Sequence, residues 1–169
     1  MSQPLGVNTN GTIMVLWVPA IANLAAPTVA ELTAESVLDL TCYLTSDGFT
    51  LETTENTVED GRLCSKQVFE ARGDYTDSME FTYVFNTASP ANDEARITLV
   101  SGALGNIVTR WAVDFEDAIA AADLVDVAPV EMGIQRKQAP TRNGMHRITQ
   151  KPFIIGQVRR DVAVVAGGG

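Results

Sequence analysis

Apolar and polar positions alternate most cleanly where Met79, Phe81, Tyr83 and Phe85 are interleaved with Ser78, Glu80 and Thr82. That is period two with aromatic enrichment, and it predicts a strand with one face buried. Ile13–Val18 is instead an unbroken apolar run stopped by Pro19, which predicts a buried strand. Val37–Leu44 reads as another strand, ended by Ser46, Asp47 and Gly48 as a turn. Ile107, Trp111, Val113 and Phe115 alternate with Arg110, Ala112 and Asp114. Within Leu124–Gln135, Val130, Met132 and Ile134 oppose Glu131 and Gln135. Phe153–Val165 adds a final strand pair or an edge strand. Asn143-Gly144 predicts a hairpin with a type I′ turn, whose two central residues need positive φ.

Helical signals are fewer. Ser89 as N-cap and Pro90 at the first position open a helix, with Asp93 and Glu94 at its positive end. Ile97, Val100 and Leu104 would share its buried face, and Gly102 or Gly105 would end it. Thr28 and Glu31 have capping-box spacing for a short turn over 28–34.

One stretch fits neither period. Thr50–Tyr75 is rich in Thr, Glu, Asp and Gly, with a short strand expected at Arg62–Phe69. Its lack of apolar anchors predicts an interaction arm with little order of its own that folds on contact. The rest is mainly β, a single domain over 1–169 with a flexible end at 166–169.

Charge changes this picture. The net charge is −9, yet residues 1–130 carry −14 and residues 131–169 carry +5. That excludes a uniformly basic nucleic-acid binder and leaves an acidic body with a basic end. Arg136, Lys137, Arg147 and Lys151 flank the predicted hairpin with only Phe153 available for stacking on bases. Pairing with acidic surface, within or between subunits, is the better reading.

Candidate chemistry adds little. His146 is the one histidine, and Cys42 and Cys64 are the two cysteines. These read as a surface histidine and two half-buried free thiols, although spacing alone leaves a disulfide open. Asp114, Glu116, Asp117, Asp123 and Asp126 lack the calcium-loop pattern, and no phosphate-binding glycine loop or nucleophile elbow occurs. No enzyme and no cofactor is expected. The N-terminus lacks the basic region of a signal peptide, and the longest apolar run is too short to span a bilayer, so folding in the cytoplasm without a membrane anchor is expected.

Several segments in order carry a resemblance. They are Trp17-Val18-Pro19-Ala20-Ile21-Ala22, Asp39-Leu40-Thr41-Cys42-Tyr43-Leu44 and Glu59-Asp60-Gly61-Arg62-Leu63-Cys64, then Arg110-Trp111-Ala112-Val113-Asp114, Gly133-Ile134-Gln135-Arg136-Lys137-Gln138-Ala139-Pro140 and Ile148-Thr149-Gln150-Lys151. Together they resemble the major tail tube proteins of long-tailed, non-contractile (siphovirus-type) bacteriophages infecting actinobacteria. The resemblance implies two packed antiparallel sheets, a β-sandwich near a barrel, with one flanking helix and a long early loop. It also implies hexameric rings stacked into a hollow tube in the virion, assembled in the host cytoplasm. Partners would be further copies of the chain, a tape-measure protein, tail-terminator and baseplate proteins, and viral DNA in transit without specific binding.

On that reading Glu80, Thr82, Arg110, Asp114, Glu131 and Gln135 face an acidic channel, or else an ordinary solvated sheet face. DNA carries a negative charge about every 1.7 Å, so basic walls would hold it and acidic walls would not. Glu55, Glu59, Asp60, Arg62, Lys66 and Arg72 on the arm, with Arg136, Lys137, Arg147 and Lys151, are the expected subunit contacts. The rivals are a head–tail completion or tail-terminator ring and a soluble β-sandwich binding module.

Overall fold

A computed structural model describes residues 2–167, so Gly168 and Gly169 of the expected flexible end lie outside the described residues. In chain order the elements are β1 (Ile13–Val18), α1 (Val29–Leu32), β2 (Leu38–Asp39), β3 (Leu44–Asp60), β4 (Phe69–Val84), a 3-10 turn (Pro90–Asn92) and α2 (Glu94–Thr98). There follow β5 (Leu104–Trp111), β6 (Leu124–Met132), β7 (Arg136–Lys137), β8 (Arg147–Gln150), β9 (Pro152–Ile154) and β10 (Arg159–Ala163). They form two antiparallel sheets. The six-stranded sheet runs β10-β6-β5-β1-β2 with β9 also paired to β6, and the four-stranded sheet runs β3-β4-β8-β7.

The two hydropathy patterns have two structural causes. Val15 and Trp17 of β1 point into the core between the sheets, beside Phe81, Tyr83, Ile107, Val130 and Ile148. Met14, Leu16 and Val18 point the other way, into a second cluster with Leu32, Val108, Ile119, Val127 and Val164. Covered on both faces, β1 has no polar position to alternate with. The four-stranded sheet buries one face only, so Met79, Phe81 and Tyr83 of β4 go in while Glu80 stays exposed.

Close approach fixes two glycines. A Cβ on Gly105 would lie 2.6 Å from the Trp17 indole, so β5 meets that ring with bare backbone. At Gly48 a Cβ would fall 2.1 Å from the Thr82 carbonyl oxygen. This is the bulge between the Leu44–Tyr83 and Phe49–Phe81 pairs, where β3 carries extra residues against β4. Ser46, Asp47 and Gly48 therefore interrupt a strand rather than end one, and the expected strand at Val37–Leu44 is reduced to Leu38–Asp39.

The structure corrects other expectations. The Thr28–Glu31 capping box forms as read, with both reciprocal bonds present. The helix from Ser89 to Gly105 is broken into the 3-10 turn and the short α2, and its buried face is Ala95 and Leu99. Ile97, Val100 and Leu104 are exposed, because Leu104 already belongs to β5. That strand stops at Trp111, where Ala112 takes φ 60° and turns the chain away, so Val113 and Phe115 leave the ladder. Trp111 is half-exposed, with its indole N–H donating to Asp126 at 2.9 Å. Asn143 has φ 63° and the Gly144 amide donates to the Thr141 carbonyl, so the β7–β8 turn has one positive-φ residue in a wider loop rather than a type I′ pair.

Candidate functional site

Thr50–Tyr75 is not an irregular loop. It makes most of a β3–β4 ribbon paired almost continuously from Phe49–Phe81 to Asp60–Phe69, and the expected strand at Arg62–Phe69 is largely the turn at its tip. Threonine is frequent along this ribbon, and β-branched side chains suit a pleated surface even without a core. From Thr53 to Asp60 the ribbon is exposed on both faces, a projection of about 25 Å at ~3.3 Å per residue.

Local pairs hold the arm. The Arg72 guanidinium meets Glu55 at 2.7 Å and lies over the Tyr75 ring, and Arg62 meets Asp60 at 2.9 Å. At the root, Arg160 of β10 donates to Asp77 at 2.5 Å and to the Thr53 hydroxyl at 3.2 Å, clamping the ribbon to the other sheet. Just beyond this clamp the register shifts between Glu55 and Thr57. Lys66 and Glu59 extend into solvent. Near the tip Glu59 sits directly opposite Glu70, a repulsive cross-strand pair. Val58, Leu63, Val68 and Phe69 are more than half exposed there.

The bare face of the four-stranded sheet is the second feature. Register places Glu80 beside Thr50, Ser78 beside Glu52, and Thr82 beside Thr149, which is flanked by Arg136. Arg147 pairs with Val84 on the same face. Acids lie toward the β3 edge and bases toward the β7 edge. Arg136 reaches Glu80 across the face at 3.4 Å. The face is thus balanced in charge, not uniformly acidic. Thr50, Glu52 and Thr149 were missed because the pairing that sets their side is not visible in sequence.

The six expected channel residues do not share a surface. Glu80 and Thr82 lie on this face. Arg110 is a correction: it is 1% exposed and turned into the second cluster's side of the six-stranded sheet. Its guanidinium donates to Asp123 at 3.0 Å and to the carbonyls of Asp114, Asp117 and Ala118. Asp114 sits in the loop that Arg110 holds, beyond the end of β5. Gln135 follows β6 and donates to the carbonyls of Arg96 and Leu99, pinning α2. Glu131 is exposed on β6, in the other sheet from Glu80.

Among the hollows of the described residues, two have mainly apolar linings. One, of about 350 Å³, is lined by Glu131, Gly133, Ile134, Arg136, Lys151 and Phe153. The other, of about 390 Å³, holds Ile13, Cys42, Leu44, Phe49, Trp111 and Phe115. Lys137 lies over the Phe85 ring at 5.6 Å. Cys42 and Cys64 are free thiols, both exposed rather than half-buried. His146 is exposed, with its ring 5.8 Å from that of Phe85. No helix is long and apolar enough to cross a membrane among the described residues.

Comparison with known proteins points one way. A family model described as phage tail tube protein matches residues 1–167. The fold is similar to a chain in a hybrid NMR and cryo-EM structure of the SPP1 tail tube, with TM-score 0.59 and 13% identity, covering 91% of this chain and 78% of that one. It is also similar to a chain of the anti-feeding prophage baseplate, solved by cryo-EM and six-fold symmetrised. There the TM-score is 0.56 and the identity 11%, over 94% of this chain and 96% of the other. At these identities the likeness is one of fold. No curated protein matches.

Proposed function

The chain belongs to the phage tail tube protein family, and we propose that its copies close into hexameric rings that stack as a hollow conduit for viral DNA. Family membership makes it a structural component of the virion and not an enzyme. The observation that best supports the ring is the bare face of the four-stranded sheet, acidic toward β3 and basic toward β7. Side by side, the basic edge of one copy meets the acidic edge of the next, and closure removes edge strands that would otherwise aggregate.

On this reading Glu80 and Thr82 face the channel with Glu52, Thr50 and Thr149. The bases there have acids nearby, as Arg136 has Glu80, so passing phosphates meet few uncommitted cations. The arm, through Glu55, Glu59, Asp60, Arg62, Lys66 and Arg72, joins further copies. Arg136, Lys137, Arg147 and Lys151 form the opposing surface. A tape-measure protein inside the tube, with terminator and baseplate proteins at its ends, completes the set of partners.

Negative-stain microscopy of the purified protein at rising concentration tests this. Long tubes with an axial hole are expected. Discrete rings alone would favour a terminator ring, and persistent monomers would overturn both.

A further inference from the structure

Asparagine followed by glycine is chemically labile as well as turn-forming. Glycine has no Cβ to shield its amide nitrogen, and its backbone turns freely enough to bring that nitrogen onto the preceding side-chain carbonyl. The sequence holds two such pairs, Asn10-Gly11 and Asn143-Gly144, and two acidic counterparts, Asp47-Gly48 and Asp60-Gly61. The fold treats the four differently.

Both acids are occupied. The Asp47 carboxylate accepts from the Thr45 hydroxyl at 2.9 Å, in the crowded bulge where Gly48 meets the Thr82 carbonyl. The Asp60 carboxylate accepts from the Arg62 guanidinium at 3.0 and 3.1 Å. An ionised carboxylate is a poor electrophile, and these bonds favour the ionised form. Asn143 is exposed, but its loop is tied on both sides by the paired strands β7 and β8. Within that loop the Gly144 amide, the nitrogen that would attack, donates to the Thr141 carbonyl at 3.1 Å.

Asn10 is under no such restraint. Positions 2–11 are exposed, and among the described residues positions 2–7 join no element and make no hydrogen bond. The Asn10 backbone amide donates to Asn8 Oδ1 at 3.0 Å. Its carboxamide and the Gly11 amide have no partner among the described residues, so electrophile and nucleophile are both uncommitted.

We propose that Asn10 is a site of hydrolytic self-modification in the folded chain and that it reacts ahead of Asn143. The Gly11 nitrogen, its proton taken by hydroxide, bonds to Asn10 Cγ, and the Cγ–Nδ2 bond breaks with release of ammonia. Water then opens the cyclic imide at either carbonyl. One opening leaves aspartate in the original backbone, and the other leaves isoaspartate, whose main chain runs through the side-chain carbon. The position gives the product a consequence. No charged side chain precedes Glu31, and Thr9 and Gly11 line the 390 Å³ hollow, whose lining has no Asp, Glu, Lys or Arg. The Gly11 carbonyl accepts from the Phe115 amide at 2.9 Å, and Gly11 lies beside the Phe115 ring. A carboxylate therefore enters an uncharged rim, and the extra main-chain atom of isoaspartate shifts the residue that holds Phe115.

Peptide mapping by mass spectrometry tests this on the purified chain held warm in mildly alkaline buffer. The amide-to-acid mass gain follows both sites, and isoaspartyl methyltransferase labels the rearranged product. Asn10 should react about fivefold faster than Asn143, the factor that one hydrogen bond of ordinary net strength imposes. In urea the two rates should converge, because the ranking belongs to the fold. Asn10→Gln should abolish the fast phase and leave the Asn143 phase unchanged, since closing a six-membered ring is far slower. Asn143 reacting first, equal rates in the folded chain, or a ratio that survives unfolding would each overturn the proposal. So would a folded chain that loses neither amide.

Discussion

Arg110 carries a full charge to a place with almost no access to water, and four oxygens receive it. Three are backbone carbonyls of the loop after β5, and the fourth belongs to Asp123. The residue therefore sets the path of a loop that covers the second hydrophobic cluster, which Ile119 enters. Replacing it with Met should cost about 3 kcal/mol, because Asp123 and the carbonyls lose their donor. Lys should recover little, since one ammonium cannot span what the planar fork spans. Urea unfolding of both variants checks this, and a loss below about 1 kcal/mol would disprove the role. Nothing in the local pattern reveals it. Arg110 falls on the polar phase of an alternating stretch, and alternation predicts solvent only when one sheet face is bare. Here both are covered, and the acceptors are carbonyls that sequence does not display. Trp17 was legible for the opposite reason: an apolar residue inside an apolar run is buried whichever face it takes.

Among the elements, the arm shows how composition can locate a segment and misjudge its form. Few apolar residues correctly put Thr50–Tyr75 outside the core, but absence of a core is not absence of pairing. Its threonines and the anchored strands on either side carry the ladder outward from the body. α2 failed differently: spacing of three and four at Ile97, Val100 and Leu104 mimicked a helical face while the chain was already turning into β5. Removal of Glu55–Arg72 exploits the observed register. Thr54 pairs with Thr76, so Gly73, Asp74 and Tyr75 are left to close a short hairpin on an intact body. The variant should remain a folded, cooperative monomer by circular dichroism and sedimentation while forming no tubes. Tubes from it would disprove the arm's part in assembly.

Over the whole molecule, carboxylates tie peripheral segments to the body. Hydrogen bonds from the Ala22 and Thr28 amides hold the Glu31 carboxyl below the ordinary range. The Arg96 guanidinium, at 2.7 Å, does the same for the buried Asp93, helped by the Asn86 amide. Both are depressed in the folded state. Their stabilisation is complete above the unfolded pKa of about 4 and is lost as pH falls through the lower folded values. Urea midpoints attributable to these groups should hold from pH 7 to about 5 and then decline. Asp93→Asn should flatten the decline, and an unchanged slope would show that Asp93 plays no part. The −14 and +5 halves of the sequence were legible as unequal partners, but not as opposite margins of one sheet face, since only strand order brings β7 and β3 to its two edges. One further property follows from the Arg160 clamp and the register shift between Glu55 and Thr57 just past it. A ribbon held at its root, with a break in its pairing register immediately beyond, is a cantilever expected to bend first at that joint. In the proposed polymer, joined through such levers, curvature would be shared among many small joints, and a filament that flexes under load and recoils while the body sheets keep their register is the expected outcome.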